Sequence, residues 1–291
     1  FPHQPSTLRY HSLMMRRRDF CRSTLAAAGA LALPGLIPRM RTGAGELDRI
    51  GIQLYSLRDL FQVDMVKTLR QLNEMGYDEV ELASFGQRTA TEVRAALDKT
   101  HLSAPSAHVS LQALRENLSL VLGNAKILEV KYIVCPWIDE EFRNPAGYRQ
   151  VAAMLNQAGN VARRSGRLIA YHNQDYEFTE VNGERGYDIL LEELDPEVVK
   201  MEMDIYWITK GGGDPLAYFK KYPGRFHMLH LKDMATDGSM TGVGTGKIDW
   251  KPILAASGKA GVRHYFAELD DPVNPISFAR ASYDFLREIK W

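Results

Sequence analysis

The chain has almost no cysteine. Cys21 and Cys135 are the only two among 291 residues, too few for a disulfide framework, so the fold must rest on an ordinary hydrophobic core. It has no net charge either, with 36 Lys and Arg against 36 Asp and Glu. That balance hides an uneven distribution. Residues 1–44 hold seven arginines, no lysine and one acid, Asp19, so 29 bases and 35 acids remain in residues 45–291, a net charge of −6. A mildly acidic body argues against general binding to nucleic acid or anionic membranes, both of which need basic surface. The apolar stretch from Leu25 to Ile37 has 13 residues, whereas a spanning helix needs roughly 20, so stable membrane insertion is not expected. What is present is globular: 45% hydrophobic and 25% charged residues, outside the range of disordered, collagen-like or coiled-coil chains.

The first 44 residues read as an address. Arg17-Arg18-Asp19-Phe20-Cys21-Arg22 precedes the Ala-rich stretch, and small residues follow at Thr42-Gly43-Ala44. A basic start, a short apolar run and a small-residue cleavage site mark a removable signal. The order Arg-Arg-x-Phe-x-Arg resembles a twin-arginine export signal, which implies the twin-arginine machinery as partner and a periplasmic or extracytoplasmic destination. Residues 1–13 are read as upstream of the start, with Met14 or Met15 as initiator.

From residue 49 onward, β-rich runs alternate with helix-period segments. Strands are expected at 49–56, 79–84, 103–110, 132–137, 168–173, 199–207, 226–233 and 264–270. Between them, apolar residues recur at helical spacing, as in Met65-Leu69-Leu72 and Val151-Leu155-Ala158. Asn144-Pro145, Asp214-Pro215 and Asp249 are placed as helix starts. Alternation of this kind implies a parallel sheet. Eight units in residues 45–291 fit a single (β/α)₈ barrel, typically about 250 residues. A doubly wound sheet would show a glycine-rich turn after its first strand, and here that turn reads Tyr55-Ser56-Leu57-Arg58.

Such a barrel keeps its chemistry at the C-terminal strand ends. Those ends carry Gln53 and Tyr55, Glu81, His108, Trp137, His172 and Asn173, Asp204 and Trp207, His230 and Lys232, and Glu268. His172, Asp204, His230 and Glu268 form a two-nitrogen, two-oxygen set from four successive strands. That donor mix suits a divalent metal, Mn²⁺ first, with Zn²⁺, Co²⁺ or Fe²⁺ as alternatives, whereas Mg²⁺ prefers all-oxygen surroundings. Any one of these residues alone is more often a hydrogen-bonded core or rim residue than a ligand; four on successive strands shift the balance toward a metal.

The segments GIQLYSLRD (51–59), VELASFG (80–86), AYHNQDYEF (170–178), MEMDIYW (201–207), HMLHLKDM (227–234), GTGKIDWKPIL (244–254) and HYFAELD (264–270) together resemble the sugar phosphate isomerase/epimerase family of xylose-isomerase-like barrels, in its exported twin-arginine branch. The resemblance implies a metal held at four strand ends, with Asp204, His230 and Glu268 in the Asp, His and last Glu positions. It departs where relatives have a Glu, since this chain has His172 there, which unsettles symmetrical two-Glu epimerisation. The implied reaction is proton abstraction α to the carbonyl of a keto-sugar through a metal-stabilised enediolate. Glu268 is then ligand and base, with His108 the alternative base. Lys232 steadies an oxyanion, and Glu81 is an acid/base or grips a hydroxyl. Gln53, Tyr55, Trp137, Asn173 and Trp207 are assigned to the carbohydrate substrate. A structural hydrogen bond is the plain alternative for Glu81, His108 and Lys232. The outcome is isomerisation or epimerisation; the alternatives are a 3-keto-glycoside lyase and, third, a non-catalytic exported sugar- or metal-binding barrel. A homo-oligomer is compatible with all three. The loop at 242–247 is expected to touch substrate after the seventh strand, and Cys135 to be an inert buried thiol.

Overall fold

A computed structural model describes residues 45–291; the expected export signal and cleavage site at 1–44 lie outside the described residues. Eight strands form the barrel: β1 (Gly51–Gln53), β2 (Glu79–Leu82), β3 (Ser103–His108), β4 (Tyr132–Cys135), β5 (Leu168–His172), β6 (Val199–Asp204), β7 (Phe226–Met234) and β8 (His264–Ala267). Each pairs in parallel with the next, and β8 pairs back onto β1, so the sheet closes without an edge. All eight expected strands are present; seven are shorter than expected, while β7 runs one residue further, to Met234. The first ends at Gln53 because Leu54–Leu57 turn into a 3₁₀ helix, and the sixth ends at Asp204, which starts the helix Ile205–Lys210.

Helices surround the sheet, and their starts follow local chemistry. Asn144 Oδ1 accepts the Gly147 N–H at 3.0 Å ahead of the helix Pro145–Arg164, and Asp214 Oδ1 accepts the Leu216 N–H at 2.9 Å ahead of Pro215–Lys221. Asp249 occupies the cap position of Trp250–Ala260 without a side-chain bond. The helix Met65–Met75 buries Met65, Leu69, Leu72 and Met75. Against β1 there is no room for a side chain: a Cβ on Gly51 would lie 2.5 Å from the Phe266 ring.

The apolar interior is in two parts. One large core fills the space between strands and helices. A smaller cluster of Tyr132, Val134, Ala170, Met228 and Phe266 plugs the barrel. Polar side chains above that plug therefore stand on an apolar, low-dielectric base. No helix among the described residues is long and apolar enough to cross a membrane.

Candidate active site

Period-two alternation brings inward-facing residues of β5 to β8 to one mouth. Register sets His172 beside Glu202 and Asp204 beside His230. His172 Nε2 lies 3.1 Å from His230 Nδ1 and 3.5 Å from Asp204 Oδ2, and Glu268 Oε2 lies 2.6 Å from His230 Nδ1. One donor atom from each of the four falls within 4.8 Å of the others, an arrangement that can hold a metal ion. All four side chains are buried.

A second group lies against the first and shares His230. Glu81 Oε2 is 2.6 Å from His230 Nε2 and 3.1 Å from His108 Nε2, while Glu202 Oε2 is 3.3 and 3.2 Å from the same two nitrogens. The His230 ring thus faces Glu81 with Nε2 and the four-residue set with Nδ1. A carboxylate behind a ligating imidazole is the usual device for fixing which nitrogen faces a metal. Lys232, 2% exposed, lies 3.1 Å from Asp204, 3.0 Å from Glu268 and 2.9 Å from Asp270.

These groups shift each other. Burial opposes charge on His108, but Glu81 and Glu202 outweigh it and hold its pKa up at about 9. Burial likewise opposes charge on His230, and Glu202, Glu268 and Glu81 raise it well above the usual imidazole value. Burial resists ionisation of Glu268 and Asp204, yet Lys232 first, then the histidines, keep both below the ordinary carboxylate range. The pull on both imidazoles expresses an excess of buried negative charge, which a dication would relieve. The residues fit such an ion on a further count. His172 Nδ1, Asp204 Oδ2, Glu268 Oε2, Glu81 Oε1 and Glu202 Oε1 are buried without a hydrogen bond, an unusual density of unmet polar atoms. Asp204 Oδ2 and Glu268 Oε2 lie at ion-pair distance from Lys232, and from His172 and His230 respectively, but lack hydrogen-bond geometry.

Above lies a cavity of about 610 Å³, with His172, His108, Lys232 and Glu268 at its floor and Tyr55, Trp137, Trp207 and Asp270 on its walls. Tyr55 is 40% and Trp137 49% exposed, so both present apolar surface at the mouth. Three expected wall residues are placed elsewhere. Gln53 is fully buried: its Nε2 donates to Glu81 Oε2 at 2.6 Å and its Oε1 accepts the Tyr55 N–H at 3.0 Å. Asn173 is also fully buried, its Oδ1 accepting the Asp204 N–H at 3.0 Å, so it ties β5 to β6. Glu81 sits beneath His230 at zero exposure rather than facing the cavity. The loop after β7 also departs from expectation. Asp233 accepts the N–H of Gly244 and of the Trp250 indole and pulls this loop away, into a different cavity with Phe285 and Lys290. Cys135 is fully buried, and burial pushes its pKa up to about 12, so it is inert.

Sequence reasoning missed Glu202, although it shares the parity of Asp204 two residues on. It also missed Arg143, in the loop after β4, Tyr176, in the 3₁₀ helix Tyr176–Phe178, and Lys210, at the end of the helix Ile205–Lys210, all of which line the cavity.

A family model described as xylose isomerase-like TIM barrel matches residues 69–289. An inosose dehydratase from Geobacillus thermodenitrificans is 30% identical over 156 residues, 46% of this chain and 52% of that protein. The chain therefore spans about half the length of the curated relatives it matches. A solved sugar phosphate isomerase/epimerase from Parabacteroides distasonis is 26% identical with a TM-score of 0.74, covering 83% of this chain and 98% of that one. The 3-keto-D-glucoside 4-epimerase YcjR from E. coli shares the fold, at 18% identity and a TM-score of 0.60 over 83% and 99% of the two chains.

Proposed function

The chain belongs to the xylose isomerase-like TIM barrel family, and from that premise we propose that it is a divalent-metal-dependent enzyme, with Mn²⁺ the first candidate, that removes a proton α to the carbonyl of a keto-sugar. One observation carries the reading: His172, Asp204, His230 and Glu268 bring four donor atoms within 4.8 Å at the floor of a sugar-sized cavity. Those four residues would hold the ion, which when bound withdraws charge from a substrate carbonyl oxygen. Glu268, kept ionised by Lys232, accepts the α-proton. Lys232 stands 3.0 Å from it and steadies negative charge developing on substrate oxygen. His108, held protonated by Glu81 and Glu202, is placed to deliver a proton rather than to take one. Tyr55, Trp137 and Trp207 offer apolar faces to the sugar ring and exclude water.

Return of the proton to the same or adjacent carbon gives epimerisation or isomerisation. A second reading is β-elimination, in which the electron pair left by the α-proton forms a double bond and a neighbouring substituent leaves. It is favoured by His172, which stands where a second carboxylate would serve the opposite face of the substrate. The names of the curated relatives, inosose dehydratases, describe an elimination next to a carbonyl. Export through the twin-arginine route belongs to the same proposal, since glycosides are more plentiful than sugar phosphates outside the cytoplasm; an unprocessed chain retained in the cytoplasm would refute it.

The test is incubation of the Mn²⁺-supplemented chain in D₂O with free ketoses, inososes and 3-keto-glucosides, followed by mass spectrometry. Deuterium uptake without cleavage establishes an isomerase or epimerase. Loss of water or aglycone establishes the elimination. If neither occurs with metal bound, the enzyme reading is overturned for these substrates.

A further inference from the structure

We propose that Arg143 is an oxyanion receptor in the candidate active site, so that the substrate carries a carboxylate or phosphate group away from the end that meets His172 and Glu268. This rests on the keto-sugar reading and adds the substrate's charge to it.

Three lysine or arginine side chains line the cavity, besides His108 at its floor between Glu81 and Glu202: Lys232, Lys210 and Arg143. Two are already paired. Lys232 sits among Asp204, Glu268 and Asp270 within 2.9–3.1 Å. Lys210 lies 3.4 Å from Asp175 and 4.6 Å from the Trp207 ring centre. Arg143 differs from both, because among the described residues it forms no ion pair and is held only by rings and a carbonyl. Its Cζ lies 4.2 Å from the Trp137 ring centre and 3.9 Å from that of Tyr176. Its Nε and Nη2 both donate to Ile138 O at 3.1 Å. Tyr176 completes the clamp by accepting the Ile138 N–H on its hydroxyl at 3.2 Å.

The clamp fixes the guanidinium while leaving Nη1 without an acceptor among the described residues. A guanidinium stays charged at any physiological pH, and its fork matches the paired oxygens of a carboxylate or phosphate. Holding it against two rings in advance removes most of the side-chain entropy that binding would otherwise cost. A clamp that served only to brace the loop would gain nothing from an unpaired charge at a cavity wall. Recognition of a neutral hydroxyl would not need one either. Arg143 belongs to the segment after β4, whereas the four-residue donor set comes from β5 to β8. One substrate spanning the cavity would thus meet the donor set at one end and the guanidinium at the other. The volume, about 610 Å³, accommodates a sugar ring with a charged substituent, lying within the roughly 300–1,000 Å³ of small-molecule sites.

The test is equilibrium binding to the full chain, with and without Mn²⁺, followed by calorimetry. The probes are D-glucuronate, D-glucose 6-phosphate and D-glucose at fixed ionic strength. We expect at least one anionic sugar to bind about tenfold to a hundredfold more tightly than glucose, with the advantage shrinking as salt rises. The tighter of the two anions identifies carboxylate or phosphate as the group received. Arg143→Gln should abolish the advantage while leaving glucose binding within about twofold. Arg143→Lys should keep a part of it, the charge without the fork, and Trp137→Phe should keep most. If Arg143→Gln fails to fold, Arg143→Lys must still reduce the advantage severalfold. The proposal is overturned if neither anion outbinds glucose in the unmodified chain, or if the advantage survives loss of the guanidinium. Failure of the keto-sugar reading would look different: the binding preference would stand, and no deuterium would enter any keto-sugar.

Discussion

Both ends of the barrel hold buried histidines and carboxylates, yet they are built to opposite rules. At the N-terminal end Glu79 has both oxygens engaged, Oε1 by Arg49 at 3.1 Å and Oε2 by His264 at 2.7 Å, and His227 Nδ1 meets the Tyr132 hydroxyl at 3.0 Å. At the C-terminal end five buried polar atoms of the two donor groups lack hydrogen bonds. The imidazoles register the contrast. Burial first, then the cations Lys200 and Arg263, push His227 down to about 4, whereas carboxylates hold His108 up at about 9. His227 and His230 lie three residues apart on one strand and shift in opposite directions. Buried charge alone therefore does not mark a working site. Satisfied polar clusters brace the fold, and clusters with unmet acceptors await a ligand.

Substitutions can break this contrast. The largest effect is expected at Glu268→Gln, where deuterium uptake by substrate should fall about 10²- to 10⁴-fold in a folded protein; near-normal uptake would remove Glu268 as base. Asp204→Asn and His230→Ala should each lose stoichiometric metal, measured by elemental analysis of dialysed protein. Glu81→Leu lies outside the cavity lining and the set His172, Asp204, His230 and Glu268, yet should weaken metal binding by about 10- to 100-fold by freeing the His230 ring. At the other end, Glu79→Leu should leave metal affinity unchanged and cost about 1–3 kcal/mol of stability, seen in denaturant titration. The smallest effect is a pH slope. His227 is depressed when folded, so its contribution to stability is present above pH 6.5 and is lost as pH falls towards 4. His227→Gln should flatten unfolding midpoints across that window. In metal-free protein His108 gives the opposite slope, with stability present below pH 6.5 and lost as pH rises through about 9.

The alternation of strands and helices and the set of polar strand ends were legible because the two periods, near 3.6 and 2, are written in every element. His172, Asp204, His230 and Glu268 follow directly from that pattern. Glu202 was within reach by the same parity, one inward step below Asp204. Gln53 and Asn173 were misplaced because an amide at a strand end can spend both its oxygen and its nitrogen on neighbouring strands, which no single strand reveals. Arg143 and Lys210 were hidden for another reason: they lie beyond the strand ends, in a loop and in the last turn of the helix Ile205–Lys210, where position depends on contacts such as the Arg143–Tyr176 packing. The loop at 242–247 misled for the same reason, since Asp233, facing away from the mouth, decides where it goes.

Asp204 serves two structures with one side chain. Oδ1 accepts the Trp207 N–H at 2.9 Å and so starts the helix Ile205–Lys210, while Oδ2 faces His172 and Lys232. Asparagine could keep the helix start and would forfeit the charge; glutamate could keep the charge and would misplace the cap. Neither of these nearest chemical neighbours does both, so at this position drift by small steps is closed, and the residue that aims Trp207 at the cavity is tied to the residue that fixes the floor.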